Sequence, residues 1–116
     1  MTEFTLYTLD NFPSAICSHE PLNEQIAIIF FSASWCQPCK NMKSVFQKVV
    51  DDMHGKPINF GQVDIAQSPN LAQQYGIKSV PSIAIFKASY LVKVIAGEVT
   101  FSQLVTQIEQ VLKDIA

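Results

Sequence analysis

The segment Trp35-Cys36-Gln37-Pro38-Cys39-Lys40 holds two thiols separated by two residues, a spacing that lets one sulfur reach the other within a single turn of helix. A helix is expected to start there. Met42, Val45, Phe46, Val49, Val50 and Met53 follow at i, i+3, i+4, i+7, i+8 and i+11, one apolar stripe over about four turns. A thiol at a helix N-terminus meets free backbone N–H groups and the positive end of the macrodipole. Both favour thiolate, which lowers the thiol pKa and supplies a nucleophile near neutral pH. Cys36 is therefore expected to face solvent and attack a substrate disulfide. Cys39, one turn along and more buried, would then attack the mixed disulfide and release the reduced product. Pro38 suits the first helical turn, where a missing N–H costs little.

A zinc site is the other chemistry open to a Cys-x-x-Cys pair. It needs four ligands, and only Cys17, His19 and His54 remain as candidates, without a second paired motif. No metal is expected. An odd count of three cysteines also argues against a disulfide framework, and Cys17 reads as a small apolar residue. The chain is 48% apolar and 16% charged, with a net charge of −2, as in ordinary globular domains. Its basic residues are eight lysines and no arginine, without a basic block, which argues against nucleic-acid binding. The longest apolar run, Ile26 to Phe31, falls far short of the ~20 residues of a membrane helix. The first residues lack the basic start and apolar run of a secretory signal, so a reducing, cytoplasmic setting is expected.

The elements that must position the thiols follow from pattern. Phe4 to Leu9 alternates apolar and polar residues as a half-buried strand does, and Asp10 can cap a short helix to about Ala15. Polar residues from Ser18 to Gln25 read as a loop. Ile26 to Phe31 has the composition of a strand covered on both faces. Gly55 and Pro57 end the helix that starts at the thiols, and Ile58 to Val63 is the next strand. Ser68-Pro69 opens a short helix stopped by Gly76. Ser82 to Phe86 and Leu91 to Ile95 read as closely linked antiparallel strands. Thr100 to Gln103 is a capping-box pattern. It opens a last helix with the stripe Phe101, Leu104, Val105, Ile108, Val111, Leu112 and Ile115. The order β-α-β-α-β-α-β-β-α predicts one α/β domain over residues 1–116, its sheet mainly parallel and covered by helices on both faces.

Together, Trp35 to Lys40, Tyr75-Gly76-Ile77-Lys78-Ser79-Val80-Pro81-Ser82, Phe86-Lys87 and Gly97 resemble the thioredoxin family over almost the whole chain. The resemblance implies a thioredoxin fold, a central mixed sheet of about five strands flanked by about four helices. It implies that Pro81 is cis against the two cysteines. The backbone of Val80 would pair with an extended substrate chain, as strand addition does. Trp35, Ser79, Val80, Pro81, Ala96 and Gly97 would form the substrate groove. The working group would be the Cys36–Cys39 disulfide itself, without a bound cofactor. Partners would be disulfide-containing proteins and a thioredoxin-reductase-type flavoenzyme as electron donor, with the chain a monomer.

Three departures from the family pattern bear on mechanism. The buried aspartate six residues before the first cysteine is Phe30 here, and the nearby lysine is Gln62. Asp64, two residues along the same strand, is the candidate substitute carboxylate. Gln37 stands where glycine is commonest, which leaves the redox poise open, although Pro38 points to the reducing end of the family. Glu98 adds a negative charge beside the groove, which should modestly disfavour acidic substrates. A disulfide isomerase or oxidant, and a binding subunit whose thiols do not matter, are the alternative functions.

Overall fold

The apolar run that begins at Ile26 forms the middle strand of a five-stranded sheet. The computed structural model describes residues 5–7, 26–53, 58–87 and 90–114. Its strands are β1 (Thr5–Tyr7), β2 (Ile26–Ser32), β3 (Ile58–Asp64), β4 (Ser82–Lys87) and β5 (Tyr90–Ala96). Its helices are α1 (Gln37–Asp52), α2 (Pro69–Gln74) and α3 (Phe101–Asp114), and the sheet order is β1-β3-β2-β4-β5. The helix expected over 10–15 and the loop over 18–25 lie outside the described residues. So do Cys17, His19, His54, Gly55 and Pro57.

Every residue of β2 from Ala27 to Ser32 is buried, as a strand with neighbours on both edges and helices on both faces requires. Its side chains alternate between two cores. Ile28 and Phe30 join Met42, Phe46, Val49 and Val50 of α1 and Leu104, Ile108 and Val111 of α3. Ala27, Ile29 and Phe31 join Leu71 and Ala72 of α2 on the opposite face. The predicted stripe of α1, and that of α3 as far as Leu112, are thus the faces turned to the core; Ile115 lies outside the described residues. At the start of α3 the capping box closes both ways: the Gln103 N–H donates to Thr100 Oγ1 at 3.1 Å, and the Thr100 N–H donates to Gln103 Oε1 at 3.0 Å.

The sheet is mixed, as the family resemblance implies, and the mainly parallel sheet expected from strand–helix alternation alone is corrected. β1 and β2 run parallel to β3, but β4 is antiparallel to both β2 and β5. The reason lies in the link between β3 and β4. A seven-residue strand spans about 23 Å, whereas the six residues of α2 rise only about 9 Å. The chain therefore does not return to the starting end of the sheet. β4 begins where β2 and β3 finish, with Ser82 paired to Phe31. The tight connection then brings β5 back antiparallel, and Ala96 pairs with Ser82. The end of β2, the start of β4 and the end of β5 meet at one edge of the sheet, beside the N-terminus of α1.

Candidate active site

Cys36 is the N-cap residue of α1, with extended backbone angles, and Cys39 lies in the first turn. The Cys39 N–H donates to Cys36 Sγ at 3.2 Å, so the sulfur takes up one of the free donors of the helix end. The two cysteines form a disulfide, with Cα atoms 5.3 Å apart. The Cys36 N–H donates to the Ala33 carbonyl at 3.1 Å, which turns the chain from β2 into the helix. No acidic side chain lies in the first turn of α1, and Lys40 follows Cys39 directly. A thiolate at Cys36 thus meets helix-end N–H groups without an opposing carboxylate from that turn.

The expectation that Cys36 faces solvent is corrected. Cys36 is 5% exposed and Cys39 3%, so both sulfurs are covered in the disulfide state. The cover for Cys36 comes from far along the chain: its Sγ lies 3.7 Å from the Val80 carbonyl oxygen. Spacing near the helix start could not reveal that contact. Trp35 is the exposed member, at 70%, and its indole stands out beside the disulfide; Gln37 and Pro38 are exposed as well.

The Val80–Pro81 peptide bond is cis, and hydrogen bonds on either side hold this loop. Ser82 Oγ donates to the Ser79 carbonyl at 2.8 Å, and the Gly97 N–H donates to the Pro81 carbonyl at 2.9 Å. Gly97 has φ +86°, a left-handed conformation that disfavours side chains bearing Cβ. Pro81 is buried and Val80 half-buried, while Ser79, Ala96, Gly97 and Glu98 are exposed. The fold thus places Val80 against Cys36 and Gly97 against Pro81.

The family model described as Thioredoxin matches residues 3–110. The chain belongs to the thioredoxin family. It is 31% identical over 88 residues to the thioredoxin of Chlorobaculum thiosulfatiphilum, covering 76% of this chain and 81% of that protein. It is 31% identical over 90 residues to the thioredoxin of Synechocystis sp., covering 78% and 83% of the two chains. The crystal structure of Malassezia sympodialis thioredoxin superposes with a TM-score of 0.80 at 28% identity, covering 93% of this chain and 90% of that one. With its redox-capable Cys-x-x-Cys pair, this thioredoxin-family chain is a thiol–disulfide oxidoreductase.

Behind the disulfide, two of the positions at which the chain departs from the family pattern, Phe30 and Gln62, come together with the candidate carboxylate Asp64. Phe30 is fully buried, its ring centroid 5.3 Å from that of Phe46. In the parallel register Phe30 pairs with Gln62 and Ser32 with Asp64, so all four side chains share the sheet face that α1 covers. There they line a cleft of about 340 Å³ with Cys39, Lys40 and Lys43 of α1 and with Ala33 and Ser34. Gln62 Nε2 donates to Ser32 Oγ at 3.2 Å. Asp64 Oδ1 accepts the Ala66 N–H at 2.8 Å. Sequence reasoning singled out Phe30, Gln62 and Asp64 but passed over Ser32, Ser34 and Lys43. The available signal was Ser32 itself, a polar residue two positions after Phe30 and therefore on the same strand face.

Proposed function

We propose that this chain reduces disulfides in protein substrates, with Cys36 as the nucleophile and Cys39 as the resolving thiol. The observation that carries the reading is the placement of Cys36 Sγ at the N-cap of α1, accepting the Cys39 N–H and packed against Val80. In the reduced protein the Cys36 thiolate attacks one substrate sulfur, and the substrate disulfide opens to a mixed disulfide and a leaving thiolate. Cys39 then attacks Cys36 Sγ, which releases the second substrate thiolate and leaves the Cys36–Cys39 disulfide. Two electrons pass from the protein dithiol to the substrate.

Access to Cys36 requires the substrate chain to displace the cover around Val80. An extended peptide pairing with the Val80 backbone, between Trp35 on one side and Ser79, Pro81, Ala96 and Gly97 on the other, would do so. Trp35, exposed beside the disulfide, offers an apolar contact. Gln37 and Pro38 form the spacer that tunes thiol pKa and potential. Residues 1–116 act as one domain and as a monomer in this reading, without a bound cofactor. Electrons come from a thioredoxin-reductase-type flavoenzyme in the cytoplasm. No helix among the described residues is long and apolar enough to cross a membrane.

The test is the redox midpoint of the Cys36–Cys39 pair, equilibrated in dithiothreitol buffers and read by thiol alkylation. A midpoint near about −270 mV, the thioredoxin value, supports a general reductant. A midpoint at about −180 mV or above makes the chain an isomerase or oxidant. If Cys36→Ser retains full function in cells, the chain acts as a binding subunit.

A further inference from the structure

We propose that the cleft behind Cys39 is the proton path of the resolving step and that Asp64 is its carboxylate, acting on Cys39 through cleft water. The inference rests on the oxidoreductase reading and assigns a residue to its second half.

The argument begins with a chemical requirement. A thiol attacks a disulfide as the thiolate, so Cys39 must lose its proton before it can resolve the mixed disulfide. Cys39 is 3% exposed, and bulk solvent does not reach it from the side of the substrate groove, which the bound substrate would fill. The fully buried Phe30 side chain has no group that takes a proton. The remaining approach is the cleft, which Cys39 lines directly and whose volume of about 340 Å³ has room for several waters. Its polar wall suits water as well. Ser32 and Gln62 are hydrogen-bonded to each other, and Asp64 stands beside Ser32 in the paired register.

Asp64 is the acidic side chain lining the cleft; the other charges there are Lys40 and Lys43, both on α1, while β2 and the turn after it add the uncharged Phe30, Ser32, Ala33 and Ser34. The carboxylate is held in place. Its Oδ1 accepts the Ala66 N–H, and no donor among the described residues takes Oδ2, which stays available to water. The two lysines add positive charge that favours a Cys39 thiolate as it forms.

The step balances as follows. The Cys39 thiol gives its proton to a cleft water, which passes a proton on to Asp64. The thiolate attacks Cys36 Sγ, the bond between Cys36 Sγ and the substrate sulfur breaks, and its electron pair leaves with the substrate as thiolate. That thiolate takes a proton from solvent, and Asp64 returns its own to bulk water at the mouth of the cleft. Asp64 touches no reacting atom and is a positioning residue for the proton.

The experiment is stopped-flow reaction of the reduced protein with dithiodipyridine, an uncharged aromatic disulfide. Attack by Cys36 releases one equivalent of thiopyridone. Closure by Cys39 releases the second in a unimolecular phase whose rate does not depend on reagent concentration. Asp64→Asn keeps the amide oxygen that accepts the Ala66 N–H, so the turn is preserved. It should slow the second phase by about tenfold, below the hundredfold or more of a base in direct contact. It should also change the acid limb of that phase's pH profile, because Cys39 must then lose its proton to solvent alone. Adding Gln62→Glu, which returns a carboxylate to the same cleft, should restore both rate and limb.

A second phase unchanged by Asp64→Asn in rate and pH profile overturns the proposal. So does a slowed phase that keeps its pH profile and is not restored by Gln62→Glu, since that is the mark of a structural effect. Failure of the native protein to release two equivalents would instead count against the dithiol reading of the site.

Discussion

Truncating Phe30 to alanine should destabilise the fold by about 3–4 kcal/mol. Phe30 is fully buried in the middle strand of the sheet, and its ring meets Phe46 at 5.3 Å between centroids. Phe46 in turn meets Phe60 edge-on at 6.1 Å, so the three rings join β2, α1 and β3. Burial of a phenylalanine ring is worth about 3–5 kcal/mol against alanine when the cavity stays empty. Here the void would merge with the cleft beneath Cys39, and water could enter it. That relief keeps the expected loss in the lower part of the range, although the aromatic contact with Phe46 is forfeited as well. For a chain of this length the loss corresponds to a fall of about 12–16 °C in Tm. The measurement is urea unfolding followed by far-UV circular dichroism. Trp35 fluorescence is the wrong probe, because an indole that is 70% exposed reports the surface beside the disulfide. A loss below about 1 kcal/mol would refute the claim that Phe30 is a packed core residue, since surface substitutions rarely exceed about half that. Phe30→Leu should recover most of the loss.

Cys39→Ser should trap a covalent intermediate, because Cys36 can still open a substrate disulfide but nothing resolves the product; mass spectrometry should find substrate on Cys36 alone, and a failure to trap would reverse the assigned roles. Gly97→Ala should destabilise by about 1–2 kcal/mol, the cost of a Cβ in left-handed backbone. A Cβ there meets nothing within 4 Å, so thermal melts that show a much larger loss would reveal a packing role that the geometry lacks. Thr100→Ala removes one half of the capping box at α3 and should cost about 1 kcal/mol by urea unfolding. No change would mean that water caps this helix equally well.

Local signals accounted for most of the fold. The apolar run at Ile26, the stripe from Met42 to Met53 and the reciprocal Thr100 and Gln103 pattern each depend on residues a few positions apart, and each lies where the pattern placed it. Gly76, with φ +69°, ends α2 as expected from a stop after Tyr75. What was not legible depends on distant partners. The direction of β4 follows from the shortness of α2 relative to the strand before it, a comparison of lengths in space. The burial of Cys36 depends on Val80, 44 residues away. The irregular pairing between Ile85 and Phe86 depends on β5, whose Val92 and Val94 remain exposed although an alternating pattern cannot say which of its faces is covered.

The same reasoning explains why the cleft lies where it does. Along β2 the side chains facing α1 are Ile28, Phe30 and Ser32, and along β3 their register partners are Phe60, Gln62 and Asp64. Core ends and polar wall begins within one step of each strand. Cys39, in the first turn of α1, projects over that boundary, while Met42 and Phe46 one and two turns further along lie over the apolar side. Replacing a buried acid by Phe30 therefore moves the polar boundary outward along the strand without removing it. On the proposed mechanism the thiol that must lose a proton stays beside the polar wall of the cleft, and the apolar core beneath it gains a ring. On this view the chain separates two demands, packing under the helix and proton exchange at its first turn, and assigns them to successive residues on one face of β2 and β3.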